Sequence, residues 1–312
     1  MIRRRALQLL AGTGAAVAAS PVIAQNLIPV NVGSFASEST GAVFYAQDMG
    51  FLAKHGLTAN INLTTGGAAL MPAIVGGTLD IGEADIVTMA LAHDNGLNFQ
   101  FLAPGELHSN KYPTLALVVK DSSMKSGKDF NGKTMACNVS KGFGSLITNV
   151  WIDNNGGDSS TVKWIEFPFP GLSTALQRGT VDGYCAPEPF VDVGVKAGGT
   201  LVLLEHKPVA PVILQGGWFA THDYIRQHPS IVNAFGLAIL EANEWANANP
   251  DAAAGIISKY SKVPLPILLA MKMRGEYQIK FSAPTMQPLI DAAAKYGYIK
   301  SRFPVSDIIA NA

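Results

Sequence analysis

The chain has 312 residues, 48% of them hydrophobic and 15% charged, with 23 basic and 23 acidic side chains in balance. That much apolar material suits a large core in one or two lobes and excludes disorder as a global description. The even charge offers no basic surface for nucleic acid, and six scattered histidines without an HExxH pair give metal catalysis no support.

In chain order, Arg3, Arg4 and Arg5 come first, ahead of an alanine-rich apolar stretch from Ala6 to Ala19 and the small-residue sequence Val22-Ile23-Ala24. This reads as an export signal over residues 1–24, cleaved after Ala24, by either the general secretory or the twin-arginine route. Without it, 20 basic residues stand against 23 acidic ones, a formal charge of −3. No later stretch approaches the roughly 18 uninterrupted apolar residues of a membrane span, so the mature chain is expected to be soluble.

From Ile28 onward, short apolar strands alternate with helical patterns, the sign of β-α units on parallel sheets. Asn26–Phe35 reads as a strand and its loop, Gly41–Gly56 as a helix stopped by glycine, and Thr58–Leu63 as a second strand. "GGAALMPAIVGGTLDIGEAD" then gives a loop, a helix and a strand over Leu79–Glu83, and a fourth strand follows near Asn98–Ala103. The β-prone run "YPTLALVVK", residues 112–120, is expected to carry the chain out of this first lobe. A second set begins at once: "GKTMACNV", "VKWIEFP" and "VDGYCAPE" as strands, "GSLITNVWIDNNG" and "GLSTALQRG" as helices, and a further strand over Thr200–Leu204. "PVILQGGWFAT", residues 211–221, is expected to cross back. Only helices are expected beyond it, over Ser230–Asn249, Pro250–Tyr260, Pro264–Arg274 and Pro284–Gly297, several opened by proline.

The domain reading is therefore a discontinuous first lobe, 25–114 with 215–312, and a second lobe, 115–214, with hinges over 112–120 and 211–218. In open parallel sheets, ligands settle beyond the carboxyl ends of the strands, so the loops after strands are the ones to read for a site. "NVSKGFGSLITNVW" fails both nucleotide fingerprints: Ile147 stands where GxGxxG needs its third glycine, and GK[ST] is absent. What remains is a helix N-terminus at which Gly144 and Ser145 either bind a ligand oxygen or cap the helix. "GLSTA", residues 171–175, lacks the second glycine of GxSxG.

"GSFASESTGAVFYAQDMGFLAKHGLTANI", "GGAALMPAIVGGTLDIGEAD", "DFNGKTMACNVSKGFGS" and "ALQRGTVDGYCAPEPF" together resemble substrate-binding proteins of ABC importers, the nitrate, taurine, aliphatic sulfonate and thiamine-precursor (NMT-like) superfamily. The resemblance covers nearly all of the mature chain. It implies an α/β fold of the periplasmic binding protein type II, two Rossmann-like lobes joined by two crossover hinges and closing on a ligand. It implies a monomeric periplasmic protein with a membrane permease as partner, and neither catalytic residues nor a cofactor or metal. The pyrimidine-synthase branch of the superfamily carries a cysteine-rich run that is missing here. An enzyme on the same fold acting on a pyrimidine-like molecule, and a sensory binding subunit, stay open as rivals.

Carried onto this chain, the resemblance puts Ser34, Phe35, Ser37, Glu38 and Thr40 in a ligand loop where Phe35 can stack on a planar molecule. It adds Asp85, whose other role is a helix cap, then Ser140, Gly144 and Ser145, and also Phe169. Glu188 sits between Pro187 and Pro189 as a rigid acceptor for an amine or ring N–H, and Trp218 either walls the pocket or fills the core. Acids outnumber bases in these loops, which favours a nitrogen-bearing planar ligand over an alkanesulfonate. Cys137 and Cys185 fall on expected neighbouring parallel strands, about 4.8 Å apart; two buried free thiols are expected there, since parallel neighbours rarely orient both side chains for a bond.

Overall fold

In the computed structural model, which describes residues 26–64, 70–109, 111, 114–204, 209–271 and 275–310, strand β1 (Ile28–Ser34) turns Val30 and Val32 inward. The export signal expected over 1–24 lies outside these residues. The expected helix over Gly41–Gly56 is two helices, α1 (Ala42–Asp48) and α2 (Phe51–Lys54), because Gly50 adopts a left-handed φ of 77° that ends the first and opens the second. Strand β2 (Leu57–Leu63) and helix α3 (Leu70–Val75) lead to β3 (Ile81–Asp85), two residues later than its expected span. Asp80 stays outside the strand because its carboxylate accepts the Asn31 N–H at 2.7 Å. Helix α4 (Ile86–Asp94), β4 (Phe99–Pro104) and β5 (Glu106–Ser109) follow.

The run expected to cross between lobes is instead β6 (Leu115–Val119), a strand inside the second sheet with every residue buried. A strand buried on both faces reads as a continuous apolar run, which is why its pattern does not mark it as part of a sheet. Strand β7 (Thr134–Cys137), helix α5 (Phe143–Asn154), strand β8 (Lys163–Glu166), helix α6 (Leu172–Arg178), strand β9 (Gly183–Pro187), helix α7 (Phe190–Lys196) and strand β10 (Thr200–Leu203) follow in the expected order. The remaining elements are β11 (Val212–Leu214), β12 (Gly216–Thr221), α8 (His222–Gln227), α9 (Pro229–Ala248), α10 (Pro250–Ser261), α11 (Leu265–Leu269), β13 (Glu276–Tyr277) and α12 (Ala283–Lys295). Proline stands in the first turn of α9 to α12, where its missing N–H costs no bond. β13 corrects the expectation of helices alone after residue 221.

Among the described residues the strands form two five-stranded sheets, β2-β1-β3-β12-β4 and β10-β6-β9-β7-β8, and a three-stranded ribbon, β11-β5-β13. The sheets are mixed. β12 enters the first antiparallel to β3 and β4, and β6 runs antiparallel to β9 and β10, because each arrives from a crossing. The crossings run through β5 and β11, which are zipped together by their pairing, Ser109 opposite Val212. One core packs α1, α9 and α10 on the first sheet around Phe44, Trp218 and Phe235, and another packs α6 and α7 on the second around Leu172 and Tyr184. A third runs from α4 and α12 across to Leu115 and α5.

β7 and β9 are parallel neighbours, and Cys137 and Cys185 are both free and buried. Burial pushes the Cys185 thiol up to about 12 and raises Cys137 well above its usual range, with Cys185 the second cause. Both thiols are thus expected to resist an aromatic disulfide reagent at pH 8 in the native protein and to react fully in denaturant; rapid native labelling of either would contradict their packing.

Candidate functional site

The carboxyl ends of β1 and β3 in the first sheet and of β7 and β9 in the second converge on one cavity. Phe35, Ser39 and Thr40 reach it from the loop after β1, and Glu83, Asp85 and Thr88 from β3 and the first turn of α4. The second sheet contributes Asn138 and Val139 after β7, Phe143 and Gly144 at the start of α5, and Pro187 at the end of β9. This is where parallel α/β sheets present helix N-termini and loop backbone to a ligand.

Asp85 joins the two halves. One carboxylate oxygen accepts the Thr88 N–H at 2.9 Å and the Phe143 N–H at 3.0 Å; the other accepts the Thr88 hydroxyl at 2.6 Å. The same side chain therefore caps α4 on its own sheet and the first turn of α5 on the opposite one. Burial raises its pKa, and the hydrogen bonds from Thr88 and Phe143 oppose that shift.

Of the residues expected at the site, Phe35, Ser37, Thr40, Asp85, Gly144 and Phe169 line this cavity. Phe169 stacks on Phe190 with centroids 5.0 Å apart and meets the edge of Phe35 at 5.9 Å, so one aromatic cluster spans both sheets. The hydroxyls of Ser37 and Ser39 lie 3.0 Å apart, and Thr40 donates to the Phe35 carbonyl, which shapes the loop around the cavity. Gly144 lies so close to Cys185 that a Cβ there would meet its sulfur at 3.3 Å. Glu38 and Glu188 do not line this cavity; with Glu106 they border a small separate pocket, and the Glu38 N–H approaches the Glu188 carbonyl at 3.4 Å.

Four expected residues point elsewhere. Ser34 is fully buried and donates to the Phe35 carbonyl at 3.3 Å. Ser140 turns outward, its N–H and hydroxyl both held by Glu166 at 2.9 Å. The N-cap of α5 is Gly142, which places Ser145 one turn inside the helix, donating to the Gly142 carbonyl at 3.0 Å and accepting the Tyr298 hydroxyl at 3.0 Å. In this arrangement Ser145 ties α5 to the segment after α12. Trp218 is 1% exposed, packs edge-on against Phe235 at 5.8 Å and belongs to the core.

Glu188 accepts the Asp192 N–H at 3.0 Å and so braces α7, after a cis Glu188–Pro189 bond; burial pushes its carboxyl up to about 8. Sequence reasoning missed Glu83, whose carboxyl is also pushed up to about 8, by burial first and the charge of Asp85 second. The available signal was "IGEAD", in which two acids two residues apart face one side of an otherwise apolar strand. Glu106 is raised well above the usual carboxyl range by burial first, with Glu38 and Glu83 as like charges, and its Oε1 is buried without a hydrogen-bond partner. No lysine or arginine is among the described residues lining the cavity, and no group of His, Cys, Asp or Glu among the described residues is placed to hold a metal ion.

The sequence matches the model of the NMT1-like family over residues 24–259. The chain belongs to the NMT1-like family. It is 27% identical over 206 residues to the taurine-binding periplasmic protein of Escherichia coli, a match covering 65% of this chain and 62% of that protein, less than two thirds of its length. The fold is that of periplasmic binding proteins. It superimposes on a ligand-binding component of an ABC-type import system from Staphylococcus aureus with a TM-score of 0.79 at 12% identity, covering 91% of this chain and 96% of that one. It also superimposes on the periplasmic aliphatic sulphonate binding protein of Escherichia coli with a TM-score of 0.71 at 14% identity, covering 91% and 92%. Among the described residues no helix is long and apolar enough to cross a membrane.

Proposed function

We propose that this NMT1-like protein is an extracytoplasmic solute-binding protein that encloses one small organic molecule and delivers it to an ABC permease, acting in the periplasm as a monomer and without catalysis. The observation that carries the reading is the cavity built from strand ends of both sheets and bridged by the Asp85–Phe143 bond. In this reading residues 25–114 with 215–312 form one lobe and 115–214 the other, and the paired crossings are the hinge between them. The membership of the family and the binding roles named for its relatives point the same way.

The ligand we favour is nitrogen-bearing and planar, stacking against Phe35 and Phe169, over an alkanesulfonate. A sulfonate would seek the N-terminus of α5, and there the Phe143 N–H is already taken by the carboxylate of Asp85. The test is thermal unfolding of residues 25–312 against sulfonates, carboxylates, nitrate, pyrimidines and amines. A ligand at 100 times its dissociation constant adds about 2.7 kcal/mol, a shift of several degrees. A stabiliser recovered unchanged is the expected result, and one that is consumed would establish an enzyme instead.

A further inference from the structure

Glu83 is 8% exposed, its side chain lines the cavity, and its carboxyl has no hydrogen-bond partner among the described residues. The neighbouring acids are committed: Asp85 to Thr88 and Phe143, and Glu188 to the Asp192 N–H. The charged groups that interact with Glu83 are Asp85 on its own strand and Glu106 on β5, both acidic. Its cross-strand neighbour on β12 is Trp218, and the opposing sheet presents Asn138 and Phe143. A carboxyl held out of water with neither base nor donor beside it is costly until a partner arrives.

We infer that Glu83 is the anchor for a protonated nitrogen, so that the ligand is a cation such as a primary amine or an amidine, whose charge displaces a proton from Glu83 on binding. The inference rests on the reading of the protein as a solute-binding protein. In the balance, a neutral Glu83 carboxyl and an ammonium ion become an ion pair, and one proton passes to solvent. With its carboxyl pushed up to about 8, Glu83 is neutral at pH 7 in the empty cavity, and a cation beside it favours the ionised form. Affinity therefore rises with pH between about 6 and 8 and levels off above, where the empty-state carboxyl is already ionised.

Calorimetry at pH 6, 7 and 8, in buffers of differing ionisation enthalpy, tests this with benzylamine against benzyl alcohol and benzamidine against benzamide. The expected result is binding by a cationic member at least about tenfold tighter than by its counterpart, strengthening about tenfold or more from pH 6 to pH 8, with about one proton released. Glu83→Gln should lose both the pH dependence and the proton release and weaken binding at least about tenfold. This variant should unfold no more easily than the parent at pH 8. A buried acid with a raised pKa lowers stability as pH climbs from about 4.5 through 8, and glutamine removes that burden. A neutral or anionic binder, or Glu83→Gln protein that still releases the proton, overturns the inference alone. If neither these compounds nor the wider set of solutes yields a binder, the solute-binding reading falls and this inference with it.

Discussion

Trp218→Ala is expected to lower the unfolding free energy by about 3–5 kcal/mol, the cost of deleting a large aromatic side chain that the core cannot collapse to replace. Trp218 is 1% exposed, and it shares a core with Phe44, Phe235 and Ile81, wedged between the first sheet and helices α1 and α9. It is also the cross-strand neighbour of Glu83, so both side chains rise from the same face of the sheet. Its removal admits water beside Glu83 and brings that carboxyl back toward its ordinary range. Denaturant unfolding at pH 7 measures the first effect, and a loss below about 1 kcal/mol would return Trp218 to the cavity wall. The same experiment on Phe35→Ala, whose ring lines the cavity within the Phe169 cluster, separates a site aromatic from a core one by its larger effect on ligand affinity.

The order of elements was legible because each carries its own local signal: alternation in β1, glycine at the end of α6 with φ 72° at Gly179, and proline at the head of α9 to α12. The second crossing was legible near residue 211, but the first was not, since an apolar run such as Leu115–Val119 satisfies equally a connecting segment and a strand buried on both faces. Only the pairing of distant segments, Ser109 with Val212, distinguishes them, and pairing over that separation leaves no local trace.

The site divides in the same way. Loops at strand ends were readable from topology, and they placed Phe35, Asp85, Gly144 and Phe169 around the cavity. Side-chain direction was not readable in irregular loops. Ser140 in the loop after β7 and Ser145 in the first turn of α5 sit at the right strand end, yet Glu166 draws one outward and Tyr298 holds the other inside. Glu83 was hidden for the opposite reason. It lies within a strand, where attention to loops does not reach, and its importance comes from what surrounds it in space.

Asp85→Ala is expected to cost about 2–3 kcal/mol, combining the loss of a helix cap, about 1 kcal/mol, with a Phe143 N–H left without its acceptor, about 1–3 kcal/mol. The two contributions share one side chain and need not add, so the diagnostic lies in how they separate. Thr88→Val removes only the 2.6 Å hydroxyl bond within the first sheet's own helix, and it should cost less and leave the overall dimensions unchanged. Asp85→Ala also cuts a bond between sheets, which leaves the approach of Glu38 to Glu188, the Phe35–Phe169 contact, the hydrogen bonds of Tyr298 with Ser145 and Asn149, and the core that α4 and α12 share with α5 to hold the two halves together. Without ligand, its solution scattering should therefore report a more expanded ensemble than the parent, and a saturating ligand should restore compactness by supplying contacts to both sheets at once. Asp85→Asn separates charge from geometry, because its amide oxygen can still accept both backbone N–H groups, and it should stay compact while losing part of the attraction to the N-terminus of α5. Scattering from Asp85→Ala that matches the parent with and without ligand would show that the remaining contacts suffice, and that Asp85 acts only as the cap of α4.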